Sequence, residues 1–486
     1  MSRPDETPDS QRDADAAELQ RFGYAQQLLR DMGGFSSFAL SFSVISILTG
    51  GVSLYGDGLK NGGPLVMSVG WPLVTLVTLA IAASLAELAS AFPTAGALYH
   101  WSALLGGPGW GFATAWLNTI GQFAITAAID YGLAGFVVDL LGLPGGRKME
   151  LAVCVAVLLS QAILNHVGVR AVALLNRVSA WYHLAGVALV VGVLSSLAPH
   201  QPIAFLLARH TTGEHGYGYS FLIALLQAAW TFTGYDASAH VTEETVDPTR
   251  NAPWGIFLSV VVSGVVGYAM LLVVTLSIGD LGQTVAAKNP FLFLLGEAVR
   301  GPWSVALVWI AIGAMWFCGL SSVTSNSRML FAFARDGGLP GSRHLAKVSA
   351  RFRSPYVAVW TSAAAALGVA LWADLYAAMA ALSTIALYAS YALPIAVGLR
   401  ARRAGKWRRR GPWNLGRFST VVNVIALAWT GFALVIFVLP PNQLVGYTFA
   451  GCVTAIAIYW RVWMKARFAG PKIRLAEEEA AGEAAG

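Results

Sequence analysis

From residue 34 to residue 463 the chain is a succession of apolar stretches, most of them about 20 residues or longer, the length at which a helix crosses a ~30 Å hydrocarbon core. Short segments richer in Gly, Pro and Arg separate them. A soluble fold has no interior able to bury so many consecutive apolar turns, so the pattern confines the chain to a bilayer. Composition agrees, with 56% of 486 residues hydrophobic and only 12% charged, where a soluble domain carries about a quarter. The expected architecture is an all-α integral membrane protein with twelve transmembrane helices. They lie near residues 34–57, 64–90, 109–139, 150–166, 174–197, 219–241, 253–279, 303–333, 355–372, 374–398, 419–439 and 444–463. Residues 1–20 are polar and lack the apolar core of a cleavable signal, so the first span is expected to serve as its own insertion signal.

The net charge of +7 is a topology signal. With the N-terminus inside, 26 of the 32 Lys and Arg residues fall on inner segments and 6 on outer ones. The positive-inside rule then puts both termini in the cytoplasm of a multi-pass protein of the plasma membrane. The lipid bilayer is the expected macroscopic partner, and a nucleic acid is not. Residues 1–18 read as a disordered tail, and 19–32 as a short surface helix leading into the first span. The acidic end AEEEAAGEAAG carries no chemistry of its own. Cys154, Cys318 and Cys452 all fall in expected spans and make no metal-ligand or disulfide pattern. Trp71, Trp110 and Trp303 read as interface anchors.

Asp236 stands inside the sixth span, in TFTGYDASAHVTEET at 231–245, two residues after Gly234. A carboxylate at membrane depth costs roughly 2.5–3.5 kcal/mol on insertion scales, which makes a functional reading the default. The first span, GGFSSFALSFSVISILTGGVSLYGDGL at 33–59, is rich in Ser and Gly, with Gly50 and Gly51 near its middle. Glycine-interrupted helices in corresponding positions of two halves are the mark of an inverted-repeat transporter. Five helices separate the equivalents, so residues 33–197 and 219–398 form two repeats of opposite topology. Residues 419–464 supply two further helices, between tails 1–32 and 465–486. Close helix packing is the competing reading of Gly50 and Gly51.

Three strings together resemble one family: SLAELASAFPTAGALYHWSALLGGP at 84–108, TFTGYDASAHVTEET at 231–245 and NSRMLFAFARDGGLP at 326–340. They are similar to the amino acid–polyamine–organocation superfamily, and FTGYDASAH most resembles its amino acid/choline branch. The resemblance implies a LeuT-type fold of 5+5 inverted repeats and a permease for an amino acid or related small amine, 4-aminobutyrate, choline and polyamines included. It implies no cofactor or metal. It further implies that the first break, at Ser46, Thr49, Gly50 and Gly51, receives a substrate carboxylate on backbone N–H groups. The second break, at Phe232, Gly234, Tyr235 and Asp236, would face the amine and cover it with an aromatic ring. Asp236 then either binds the amine or accepts hydrogen bonds that brace the broken helix.

In proton-coupled members of that superfamily a lysine lies seven residues after an asparagine in the fifth span. In NRVSAWYHLAG, residues 176–186, that place is taken by His183. Imidazole titrates near physiological pH, so His183 is a candidate proton carrier, with carbonyls of the first break and the hydroxyls of Ser321 and Ser322 as expected partners. Sodium coupling through the Ser321, Ser322, Thr324 and Ser325 hydroxyls, or exchange without an ion, are the alternatives. Asp130 reads as structural, paired with Gln122. Glu87 is expected near the inner face. Glu243, Glu244, Arg328 and Arg335 end the sixth and eighth spans on the inner side, where ion pairs among them would make a gate; a solvated boundary obeying the charge asymmetry is the alternative. Against an enzyme, the chain has no zinc-ligand pair, nucleophile elbow or phosphate loop. A sensor or structural subunit on the same fold is the rival of another class.

Overall fold

The computed structural model describes residues 8–299, 301–372 and 376–472; residues 1–7 and the acidic tail beyond 472 lie outside it. Among the described residues there is no strand, and a single isolated bridge pairs Met32 with Thr245. In chain order the principal helices are α1 (Pro8–Arg21), α2 (Gly34–Ile45), α3 (Ile47–Ser53), α4 (Trp71–Ala91), α5 (Pro108–Leu140), α6 (Arg147–Val167), α7 (Val169–Leu197), α8 (Tyr217–Ala224), α9 (Leu226–Thr231), α10 (Ala237–His240) and α11 (Pro248–Leu276). They continue with α12 (Pro302–Arg335), α13 (Tyr356–Trp372), α14 (Tyr376–Arg403), α15 (Ser419–Ile436) and α16 (Gln443–Tyr459). Proline in the first turn opens α4, α5, α11 and α12, where its missing N–H is not needed.

Ten membrane-length apolar helices are present among the described residues. The first of these is counted across its interruption between α2 and α3, and two of the twelve expected spans do not reach that length. The sixth is divided into α8, α9 and α10, and α13 has 17 residues. Burial sorts the spans into layers. The apolar window of Gly34–Ser53 is 89% buried and that of Tyr376–Arg403 83%, against 11% for Gln443–Met464, so the first lie at the centre and the last on the lipid side. Around the centre, α5 packs along α14 and α12, α12 along α7, and α4 along α11 and α15.

The tail differs from expectation. Helix α1 occupies most of the stretch read as disordered, and residues 22–32 are non-helical, with Phe22, Tyr24, Leu28 and Met32 buried. Those apolar side chains pin an extended strap across one end of the bundle, where a surface helix was expected. Trp71 is no interface anchor: it is fully buried, donates to the Gly264 carbonyl at 3.0 Å and lies against Phe232. Trp110 and Trp303 are half-exposed, as anchors should be.

Both anticipated breaks exist, and the first is confined to one of its four expected residues. It falls at Ser46, a non-glycine residue at φ 36°, while Gly50 and Gly51 lie within α3. Gly50 is there for close approach, since a Cβ would overlap the Thr231 side chain of α9. The packing reading of this glycine was therefore correct. The second break runs from Phe232 to Asp236, and Gly234 turns it at φ 83°. A Cβ on Gly234 would overlap Val44 of α2. Each broken helix thus leans on the other through a residue without a side chain.

Gly234→Ala should destabilise the protein by on the order of 1–3 kcal/mol from backbone strain alone, with the Val44 overlap added. Gly135→Ala, in a helix with open space around it, should leave thermal unfolding in detergent unchanged. Equal melting of the two variants would refute the account of the second break.

Candidate functional site

Unwinding a helix inside hydrocarbon frees backbone groups that must find partners. At the second break hydroxyls supply them. Ser41 of α2 donates to the Tyr235 carbonyl at 2.7 Å and accepts from Ser238 N–H at 2.9 Å. The Thr233 hydroxyl donates to the Trp230 carbonyl at 2.6 Å. Tyr391 of α14 accepts from Gly234 N–H at 3.1 Å and donates to Asp236 Oδ1 at 2.8 Å.

Asp236 itself is fully buried and fully engaged. Besides Tyr391, its Oδ2 receives Asn118 Nδ2 of α5 at 3.2 Å and lies 3.0 Å from His240 Nε2 of α10. The carboxylate therefore ties three helices to the break. Tyr391, Asn118 and His240 had not been singled out from sequence. His240 carried a readable signal, one turn after Asp236 on the same helix; the other two are distant in the chain.

At the first break Ser46 is the junction. Its hydroxyl lies 2.7 Å from His183 Nε2 and 2.6 Å from Thr49 Oγ1. His183 Nδ1 is 2.8 Å from the Ser179 carbonyl, which can only accept, so Nδ1 carries a proton. In the neutral ring Nε2 accepts from Ser46, and Ser46 accepts from Thr49. The expected link of His183 to Ser321 and Ser322 is not made: Ser321 donates to Asn176 at 2.8 Å and Ser322 pairs with Thr126 at 2.7 Å. Thr324 goes to Asn165 and Ser325 accepts from Gln122. The four hydroxyls expected to hold a sodium ion thus point to four separate partners. The amides of Thr49 and Gly50 are held by the Ser46 carbonyl at 2.8 and 2.9 Å.

Between the breaks lies a small buried cavity of about 10 Å³. Thr49 and Gly50 line one side, Trp230 and Thr231 the other, and Ile125, Ile129 and Cys318 complete the walls. No ionised side chain lines it. Phe232 turns to Trp71 and Tyr235 to Tyr391, so the aromatic ring at the cavity is Trp230.

The two ends of the path are closed very differently. On the side where Lys472 meets Tyr24 of the strap, Arg328 pairs with Glu244 at 2.7 Å and Arg335 with Glu243 at 2.8 and 3.0 Å, all buried or nearly so. These are the expected gate pairs. The strap then covers them. Asp31 and Met32 donate backbone N–H to the Glu244 carbonyl at 3.0 and 2.9 Å, and Arg30 caps the Thr242 and Thr245 carbonyls. Burial pushes Asp15 up and Arg30 down, each toward neutrality, and their 3.8 Å pairing opposes both shifts. Tyr24 lies 4.0 Å beneath the Arg335 guanidinium and donates to Asp336, which also meets Tyr99 and His100. On the opposite side a vestibule of about 380 Å³ opens past Asp57, Asp139, Glu150 and Lys288. Its floor is Tyr376, whose ring meets Trp230 edge-on at 5.9 Å. That ring pair joins the lining of the vestibule to the lining of the cavity.

The other charged residues are placed as follows. Asp130 accepts from Gln161 of α6 at 2.8 Å and not from Gln122, because the two residues face different neighbours. Glu87 binds Arg402, Ser419 and the Leu415 N–H near the strap side of the bundle.

Breaking a buried pair by removing one partner typically costs about 3–5 kcal/mol. Arg328→Ala should therefore open the strap side, making a cysteine at Thr49 reactive to a reagent applied from that side. Wild-type protein with the same cysteine should stay protected. Equal protection of both would show that the ion pairs do not seal this end.

A family model described as amino acid permease matches residues 32–460. The chain is 33% identical to Amino-acid permease BAT1 of Arabidopsis thaliana, over 94% of this chain and 96% of that protein. It is 35% identical to the BAT1 homolog of Oryza sativa subsp. japonica, over 88% of each. A GABA-specific permease of Saccharomyces cerevisiae is 26% identical, over 95% of this chain and 86% of its own length.

Proposed function

The chain belongs to the amino acid permease family, and we propose that it carries a small neutral amino acid or amine into the cell across the plasma membrane by alternating access, coupled to protons. It is a transporter and not an enzyme. One observation carries the mechanism: two interrupted helices meet at a buried cavity that is closed by ion pairs on one side and by a single ring pair on the other. A substrate entering from the vestibule displaces the Trp230–Tyr376 contact and settles between Thr49 and Thr231. Passage onward requires the Arg328–Glu244 and Arg335–Glu243 pairs to part and the strap to lift. Termini in the cytoplasm put this heavier seal on the inner face, in keeping with the distribution of Lys and Arg.

The apolar, uncharged lining favours a substrate without a charged side chain. The likeness to a GABA-specific permease keeps 4-aminobutyrate in the same class. Asp236 is read here as a brace, because all its contacts are to the protein and it does not line the cavity. Helix pairings support a two-fold repeat of the LeuT type: α5 on α14 and α12 on α7 are the contacts that such an operation would exchange. Proton coupling rests on His183. Protonating Nε2 turns it from acceptor to donor, so Ser46 must reverse its hydrogen bond and pass its own proton toward Thr49. Charge on His183 is thereby tied to the residue at which the first helix breaks.

Uptake of a labelled panel into proteoliposomes, with proton and sodium gradients imposed separately, tests the reading. Saturable accumulation of a neutral amino acid or 4-aminobutyrate driven by the proton gradient is expected; no saturable uptake of any amino acid or amine would overturn it. His183→Ala should abolish proton-driven accumulation and preserve counterflow exchange. Unchanged accumulation removes the coupling role. Asp236→Asn and Tyr391→Phe should both lower the melting temperature, each losing about 1–3 kcal/mol of buried hydrogen bonding, with substrate affinity kept in whatever protein folds. Loss of affinity at full stability in Asp236→Asn alone would make the carboxylate a direct ligand.

A further inference from the structure

A second cavity, of about 500 Å³, opens between the start of α5 and the end of α16 and takes no part in the transport path. Its wall is apolar, with Phe112, Leu117, Val453 and Ile456, and Trp110 and Trp460 frame it. Gly109 keeps it tight against the Trp460 ring, where a Cβ would come within 3.1 Å. Phe112 packs against the same ring, tilted by 41° at a centroid distance of 5.2 Å. The helix then ends in one π-turn, Trp460–Met464, closed by Lys465 N–H on the Trp460 carbonyl at 2.8 Å. Arg461 and Lys465 both stand on the cleft side of that turn.

These two cations differ from Arg328, Arg335, Arg402 and Arg409 of the same end, each of which meets a carboxylate. Arg461 and Lys465 are exposed and have no ion-pair partner among the described residues. Tryptophans mark the depth of a membrane interface, and on the side rich in Lys and Arg that interface carries anionic lipid. An apolar slot that runs into the bilayer under two unpaired cations matches the shape and charge of one molecule class. We propose that the cleft between α5 and α16 is a binding site for a single anionic phospholipid. Its phosphate lies between Arg461 and Lys465, and an acyl chain runs along Phe112, Leu117, Val453 and Ile456. A second copy of the chain fits less well, because a two-fold contact here would set Arg461 and Lys465 against their own counterparts. The inference needs only insertion in a membrane and is independent of the substrate and the coupling ion.

Native mass spectrometry of the full chain in mild detergent, titrated with phosphatidylglycerol or phosphatidylcholine, tests it. Wild type should retain phosphatidylglycerol about tenfold or more over phosphatidylcholine. Arg461→Gln with Lys465→Gln should erase that preference, and Arg408→Gln with Arg410→Gln, in the exposed basic loop, should keep it. Ala113→Trp, which fills the slot without changing charge, should lose both lipids. Because Arg461 and Lys465 are exposed, the double variant should melt as wild type does, and it decides the matter if Ala113→Trp does not fold. Equal retention of the two lipids by wild type, or undiminished preference in the double variant, overturns the site. Competition by glycerol phosphate as strong as by lipid would make it a free-anion site and overturn the lipid. Efficient homodimer cross-linking through Ala457→Cys would give the cleft to a second copy.

Discussion

Backbone groups released inside a bilayer have no water to turn to, and the whole centre of this protein is arranged around that constraint. One hydroxyl of α2 completes the broken sixth span: Ser41 holds both the Tyr235 carbonyl and the Ser238 amide. Tyr391 holds the Gly234 amide and hands its own proton to Asp236. The expensive carboxylate is thus a node that ties α5, α10 and α14 to an irregular turn. Remove the turn and none of these polar groups has reason to be buried.

The same economy explains the asymmetry of the path. Full ion pairs, buried under a strap with its own hydrogen bonds, close one end, and two aromatic rings close the other. Charged pairs in low dielectric are costly to separate, and in the proposed cycle that makes the strap side the harder of the two to open. His183 sets its Nε2 on the hydroxyl of the break residue Ser46, and the proposed proton coupling rests on that contact.

How much of this was readable in advance varied with the kind of interaction. The Arg328–Glu244 and Arg335–Glu243 pairs were legible, since the four residues end spans whose lengths fix them at the same depth. Gly234 was legible because a positive φ and a close approach both demand glycine. The confinement of the first break to Ser46, sparing Gly50 and Gly51, was not. Glycine marks both unwinding and tight packing, and only the neighbour, Thr231, tells which. Nor could the sequence say that Ser321 and Ser322 turn to Asn176 and Thr126 and not to His183, because rotation about a helix axis is set by packing.

Sequence alone determined that this chain is an all-α bundle in a membrane, which of its residues are costly at that depth, and that its sixth span gives way at Gly234, because transfer free energy and backbone sterics are local properties. Tertiary structure decided what those residues do. Asp236 became a brace when Tyr391, Asn118 and His240 arrived around it, and Trp230 replaced Tyr235 as the ring at the cavity. Partners in a polytopic protein come from helices hundreds of residues apart, and their registration is fixed by how side chains interlock, which no single stretch of sequence contains.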